Sequence, residues 1–303
     1  MKTVAILTSG GDSPGMNSAI FHLYKELTAL KIKVIGVEQG LKGLSEGKFR
    51  SLTRPELFSA QFQPGSMLRT SRFPEFKDIK IRKKCYNQLA KEKIDGLIIL
   101  GGDGSFQGGA RISLEYKIPV FGIPCTIDND IKGTHYTLGF DSAVNQSLRS
   151  IQELILTAAS HERVFVLEAM GNKSGAITKA CAEALSLEYL VPEKAPNYSL
   201  ISKNIKNNLK SGIYGQVVMI TENQPLVKEE IIKVLKAEGL DVRFNSIGHI
   251  VRGGAVSAYD RLWAQQAAKF ITQLISDKSP GGYVCSKSQK MWISPFSELN
   301  YDK

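Results

Sequence analysis

Seven short apolar runs punctuate the chain: TVAILT (3–8), KVIGV (33–37), IDGLIIL (94–100), IPVFGI (118–123), RVFVLEA (163–169), GQVVMIT (215–221) and DVRFNSI (241–247). They are rich in β-branched residues and most lack polar alternation, the pattern of parallel strands buried on both faces. Between them lie segments of helical period. Phe140, Ala143, Val144, Leu148, Ile151, Leu154, Ile155 and Ala158 form an apolar stripe that predicts one long helix. Strand and helix alternate throughout, which predicts an α/β protein.

The helix from about residue 140 opens a second strand–helix series, and the stretch after about 251 is too short for a third domain. The expected division is residues 1–138 plus 251–303 against 139–250, with the first domain discontinuous. The composition of the 303 residues, 43% hydrophobic and 22% charged, excludes a disordered chain, collagen and a coiled coil. No apolar run approaches the ~18–20 residues that cross a bilayer, and the N-terminus lacks the length and cleavage pattern of a signal peptide. A cytoplasmic protein with no membrane partner is expected. Cys85, Cys125, Cys181 and Cys285 are tens of residues apart and are expected as free thiols. The net charge of +10 predicts polyanionic partners: nucleic acid, anionic lipid or small phosphorylated molecules. Arg82-Lys83-Lys84 and Lys203 to Lys210 lack interleaved aromatics and read as solvated helix faces, so nucleic acid is not the expected partner.

Candidate chemistry lies in the turns that follow the strands. Thr8-Ser9-Gly10-Gly11-Asp12-Ser13-Pro14-Gly15 offers glycines before a helix, with Ser13 expected as N-cap and Pro14 in the first helical position. Such a turn either cradles an anion or is simply tight. In Gly101-Gly102-Asp103-Gly104-Ser105 a carboxylate sits between glycines at a strand's C-terminal end. Asp103 there is either a Mg²⁺ ligand or part of a capping turn. Thr126-Ile127-Asp128-Asn129-Asp130 places two carboxylates at i and i+2. A solvated acidic turn is one reading, and phosphoryl transfer the other: one carboxylate takes the proton of an attacking hydroxyl while its neighbours assist. Glu168-Ala169-Met170-Gly171, Thr221-Glu222 and Gly248 to Gly254 add polar turns. Arg72, Arg163 and Arg243 suit phosphate, and His249 beside Arg252 is a candidate ligand contact.

Taken together, LTSGGDSPGMN (7–17), SRFPEF (71–76), GGDGS (101–105), TIDNDIKGT (126–134), EAMG (168–171), ITE (220–222) and GHIVRGG (248–254) resemble the bacterial 6-phosphofructokinase family in order and spacing, over nearly the whole chain. The resemblance implies two Rossmann-like three-layer domains with mostly parallel sheets, the first (1–138 plus 251–303) binding nucleotide and Mg²⁺ and the second (139–250) sugar phosphate. It implies transfer of the ATP γ-phosphoryl group to the 1-hydroxyl of fructose 6-phosphate in glycolysis. Asp128 matches the general base, with Thr126 and Asp130 supporting it, and Asp103 the Mg²⁺ residue. Gly11, Arg72, Phe73, Gly102, Gly104, Ser105 and Gly108 match the nucleotide pocket. Met170, Gly171, Glu222, His249 and Arg252 match sugar-phosphate contacts. Arg163 and Arg243 match arginines supplied by a neighbouring subunit, so a homotetramer is implied.

The chain departs from the family in several places. The pyrophosphate-using branch usually carries Asp at the position of Gly104 and Lys at that of Cys125, so both residues here favour ATP. Cys125 replaces a small glycine of ATP users, and a slightly altered donor pocket is expected. Asn172 stands where the family has Arg, so reduced turnover is expected and a catalytically impaired relative is one alternative; a pyrophosphate-dependent or other sugar-phosphate kinase is another. Phe21, Ile155, Ser211 and Ile213 occupy positions that are largely basic in the family's effector pocket, where only Lys25, Arg54 and Glu188 are in keeping. Weak or absent effector control is expected. Beyond Gly281-Gly282 the sequence diverges and the family's last helix has no counterpart, so altered packing of the second domain is expected.

Overall fold

A computed structural model describes residues 1–288 and 290–299. Their contacts divide the chain into two compact units, one of residues 1–127, 131–141 and 255–303, the other of 128–130 and 142–254. This differs from the expected division at three places. Residues 139–141 belong to the first unit, 251–254 to the second, and 128–130 group with the second unit.

The first unit runs β1 (Thr3–Thr8), α1 (Met16–Ala29), β2 (Lys33–Val37), α2 (Gly40–Glu46), β3 (Phe49–Ser51), α3 (Arg54–Ala60), α4 (Ile79–Lys91), β4 (Gly96–Gly101), α5 (Asp103–Tyr116) and β5 (Val120–Pro124). The second unit holds α6 (Phe140–Ser160) from its third residue, then β6 (Val164–Ala169), α7 (Ala176–Leu185), β7 (Glu188–Leu190), α8 (Tyr198–Lys210), β8 (Gln216–Thr221), α9 (Pro225–Ala237) and β9 (Val242–Ser246). The chain then returns to the first unit as α10 (Ala258–Ser276), β10 (Gly281–Lys287) and β11 (Lys290–Ser294).

Sheet order in the first unit is β11-β10-β5-β4-β1-β2-β3, parallel except at its two ends. Alternate residues of each central strand feed opposite faces. Val4, Ile6, Ile98, Leu100, Phe121 and Ile123 join a core with α1 and α10, while Ala5, Leu7, Leu97, Ile99 and Val120 join another with α2, α4 and α5. Burial on both faces is the reason these runs read as continuously apolar. The order reverses at β1, with β2 on one side and β4 on the other, and crevices at such a reversal are where open α/β sheets bind ligands. The register pairs Thr8 with Leu100 and Gly101 with Pro124, so the turns after β1, β4 and β5 leave the same edge of the sheet.

The second unit is a parallel sheet of order β7-β8-β6-β9. Val164, Val166, Val218 and Ile220 pack with Ile201, Ile205, Ile231 and Leu235. Of the seven expected strands, β9 alone is not covered on both faces. It forms the sheet's edge, and residues 243–246 are exposed.

Three further local expectations are corrected. Helix α1 begins at Met16 after Gly15, whose φ of 92° is left-handed, not at Pro14 after a Ser13 cap. The Ser13 hydroxyl donates instead to the Leu138 carbonyl at 2.6 Å. Arg82 is buried rather than solvated: its guanidinium grips Glu115 at 2.7–2.9 Å and donates to the carbonyls of Phe76 and Lys77. Strands β10 and β11 pair antiparallel and β10 extends the first unit's sheet beside β5, so the divergent segment belongs to that unit, whereas the expected change was in the second. The four cysteines are free, as their spacing predicts, and all are buried. Among the described residues no helix is long and apolar enough to cross a membrane.

Candidate active site

In the first unit, the candidate nucleotide residues gather around the turns after β1 and β4. Gly10 has φ 89°, and a side chain there would come within 3.4 Å of the Ser105 hydroxyl. Gly101 is tighter still, since a Cβ would lie 2.6 Å from the Ser9 carbonyl and 2.7 Å from the same hydroxyl. Ser105, buried in the first turn of α5, therefore joins the two turns. The Thr70 hydroxyl donates to the Gly10 carbonyl at 2.7 Å and that of Ser71 to Gln39 at 2.8 Å. The first bond ties the segment that carries the exposed Arg72 and half-buried Phe73 to the turn that holds the exposed Gly11.

Gly102 caps α5, and Asp103 occupies its first turn, where a carboxylate suits the positive end of the helix. Asp103 and Gly104 are exposed, and a Cβ on Gly104 would meet nothing within 4 Å. Bulk at residue 104 has open room to occupy. Gly108 differs: a Cβ there would strike Leu41 at 2.9 Å and Phe76 at 3.2 Å, so the residue serves the packing of α5. Cys125 also faces the core, beside Trp263 and Phe121. Among the described residues no three His, Cys, Asp or Glu side chains cluster as a metal cage. A single exposed carboxylate nevertheless fits Mg²⁺, which commonly takes one or two carboxylates and completes its shell with phosphates and water.

The second unit assembles a different set. Residues 128–130 meet the turns after β6, β8 and β9, which leave one sheet edge because Ala169 pairs with Thr221 and Glu168 with Ser246. Burial pushes the Asp128 carboxyl up to about 6, Asp130 adds to the rise, Arg252 opposes it and Glu222 adds a further push. Burial also raises Asp130, against a backbone hydrogen bond that favours its charge, although the residue keeps much of its surface in solvent. Asn129 between them has φ 50°, a left-handed turn that Asn tolerates.

Glu222 Oε1 accepts the backbone N–H groups of Gly171 at 3.1 Å and Asn172 at 2.9 Å. Gly171 has no room for a side chain, since a Cβ would lie 2.2 Å from the Ser174 carbonyl. Met170 is buried beneath this turn, Arg252 is half-buried and His249 is exposed. Arg163 and Arg243 sit apart from this group. Asp241 holds both, accepting from Arg163 Nε at 2.7 Å and pairing with Arg243 Nη2 at 3.4 Å. Asp241 was not singled out in the sequence; its only signal is a carboxylate at a strand start, next to one of the two arginines.

Residues 3–275 match the family model described as phosphofructokinase. The chain belongs to the phosphofructokinase family. It is 40% identical over 279 residues to the ATP-dependent 6-phosphofructokinase of Persephonella marina, covering 90% of this chain and 86% of that protein. It is 36% identical over 301 residues to the protein of the same description from Staphylococcus epidermidis, covering 99% and 94%. Among solved structures it resembles phosphofructokinase from Saccharomyces cerevisiae, with a TM-score of 0.92, 25% identity, 99% of this chain and 45% of the yeast chain. The chain thus spans less than half of that larger relative.

Proposed function

We propose that the protein transfers the γ-phosphoryl group of ATP to the 1-hydroxyl of fructose 6-phosphate. The observation that carries this reading is the group around Asp128. A carboxyl raised to about 6 by burial and by Asp130 is ionised near neutrality yet basic enough to accept a proton, which is what a general base needs. Asp128 takes the proton of the attacking hydroxyl. Arg252, the cation nearest in effect, favours the ionised form of Asp128 that accepts the proton. Glu222, fixed by two backbone N–H groups, orients sugar hydroxyls. Met170, Gly171 and His249 complete the sugar-phosphate contacts.

On the donor side Gly11, Arg72, Phe73, Gly102, Gly104 and Ser105 bind ATP, and the open space at Gly104 favours that donor. Asp103 together with the nucleotide phosphates would hold Mg²⁺, which supplies charge neutralisation for phosphoryl transfer. Thr126 assists the transferring group and Asp130 supports Asp128. Arg163 and Arg243 serve the sugar phosphate of a neighbouring subunit in a homotetramer, and the protein works in the cytoplasm. In this reading the first unit is the nucleotide side and the second unit the sugar-phosphate side.

The test is an assay with fructose 6-phosphate and Mg²⁺, with ATP and pyrophosphate as alternative donors. Fructose 1,6-bisphosphate formed with ATP and at least tenfold slower with pyrophosphate supports the reading. Equal or faster product formation with pyrophosphate overturns the choice of donor, and no product with either overturns the reaction.

A further inference from the structure

The loop that carries Thr126, Asp128 and Asp130 leaves β5 and returns as residues 134–139. Its return is heavily anchored. Thr134 Oγ1 donates to the Tyr136 carbonyl at 2.9 Å and accepts the Ser286 N–H at 3.0 Å, while the His135 N–H reaches the Ser286 carbonyl at 2.9 Å. Asp260, fully buried at the start of α10, accepts the Tyr136 hydroxyl at 2.7 Å and the Gly139 N–H at 2.6 Å on one oxygen. The Leu138 N–H donates to the Pro124 carbonyl at 2.8 Å, and Ser13 holds the Leu138 carbonyl. Between these fixed points stands Thr137, fully buried, whose hydroxyl donates to the Thr126 carbonyl at 2.6 Å.

We propose that Thr137 is a positioning residue for the proton-accepting loop, an inference that rests on the function proposed above. Its hydroxyl clamps the peptide that follows Thr126, two residues before Asp128. The preceding strand end is clamped as well, by the Cys125 N–H on the Gly101 carbonyl at 2.9 Å. With both ends of the 124–126 segment held, the chain enters the Asp128 turn from a fixed peptide. The side-chain bond that Thr137 makes here is to a backbone carbonyl, that of Thr126. The residue acts through the Thr126 carbonyl, so its loss alters where the base stands and not what the base is. A displacement of about 1 Å in a catalytic group costs up to about 10²-fold in rate.

Thr137→Val keeps the shape and removes the donor; Thr137→Ser keeps the donor. The expected result is a kcat at least tenfold lower in Thr137→Val, KM for ATP and fructose 6-phosphate within twofold of the parent, and recovery to within threefold in Thr137→Ser. A second readout needs no turnover: backbone amide exchange over residues 124–131 quickens at least tenfold in Thr137→Val and returns to the parent rate in Thr137→Ser. A parent chain that makes no fructose 1,6-bisphosphate overturns the proposed reaction, and exchange then decides the role of Thr137 alone. Unchanged exchange in Thr137→Val overturns the inference, as does an active parent whose kcat survives that substitution within twofold.

Discussion

Asn172 donates its backbone N–H to Glu222 at 2.9 Å, so the interaction that fixes this turn does not depend on the identity of side chain 172. The position is exposed and its φ of 54° is left-handed. Asn172→Arg is therefore expected to fold with a stability loss of about 1 kcal/mol, the usual strain of a non-Gly, non-Asn residue there. The guanidinium restores a cation beside the sugar-phosphate group. Initial-rate kinetics should show kcat rising at least tenfold, since one charged donor at a developing negative charge is worth on the order of 10²–10³ in rate.

Asp128 sets a pH dependence whose sign follows from its raised carboxyl. The base works ionised, so kcat/KM for fructose 6-phosphate should climb about tenfold per pH unit below about 6 and level off above it. Asp128→Asn should lose this limb together with about 10²–10⁴ of the rate. The same shift bears on stability. A carboxyl with a raised folded-state value favours folding fully only below its unfolded value of 3.8 and loses that contribution as pH rises through about 6. Above pH 7 the ionised group is then a burden of at most about 3 kcal/mol. Asp128→Asn should melt at or above the parent temperature at pH 7.5 while being nearly inactive.

Gly104→Asp tests the donor side by filling space that is open. A Cβ meets nothing there, and the position lies in the first turn of α5, where a carboxylate is favourable. Replacing a helical Gly should raise stability by up to about 1 kcal/mol. The ATP-supported rate should fall at least tenfold, with the pyrophosphate-supported rate unchanged or higher, in matched assays. An unaltered ATP rate would remove residue 104 from the donor pocket.

Effector control should be weak. Phe21 is buried against α10 and stacks edge-on to Phe58, and Ile213 is exposed and apolar, so neither offers an anion a charged partner. Phosphoenolpyruvate at constant pH should move the fructose 6-phosphate half-saturation point by less than twofold.

What the sequence reveals of this molecule follows from how local each signal is. The central strands are legible because a strand buried on both faces is apolar along nearly its whole length, and in β1, β4, β6 and β8 the polar residues Thr3, Thr8, Glu168, Gln216 and Thr221 stand only at or beside the strand ends. The edge strand β9 carries a similar propensity but lies open, because propensity does not tell which strand ends a sheet. The turn motifs mark their residues by glycine and carboxylate alone. What groups Asp128 with Arg252 and Glu222 is a separation of some hundred residues that no window contains. Ser13 looks like a cap and Arg82 like a surface residue for the same reason: their partners, Leu138 and Glu115, are far along the chain. Gly108 reads as a pocket glycine from its motif alone, and its packing against Leu41 and Phe76 has no signal in the local sequence.

The interrupted first unit has a consequence for synthesis. Trp263, Ala264, Ala267, Ile271 and Val284 belong to the same core as Val4, Ile6 and Ile20. While a ribosome is still making α10, the early strands have been extruded with α1 on this face but without the α10 part of the core, whereas residues 142–254 have already been synthesised. Helix α10 therefore completes the core begun first, and a nascent chain stalled near residue 255 should present the uncovered part of that face to chaperones.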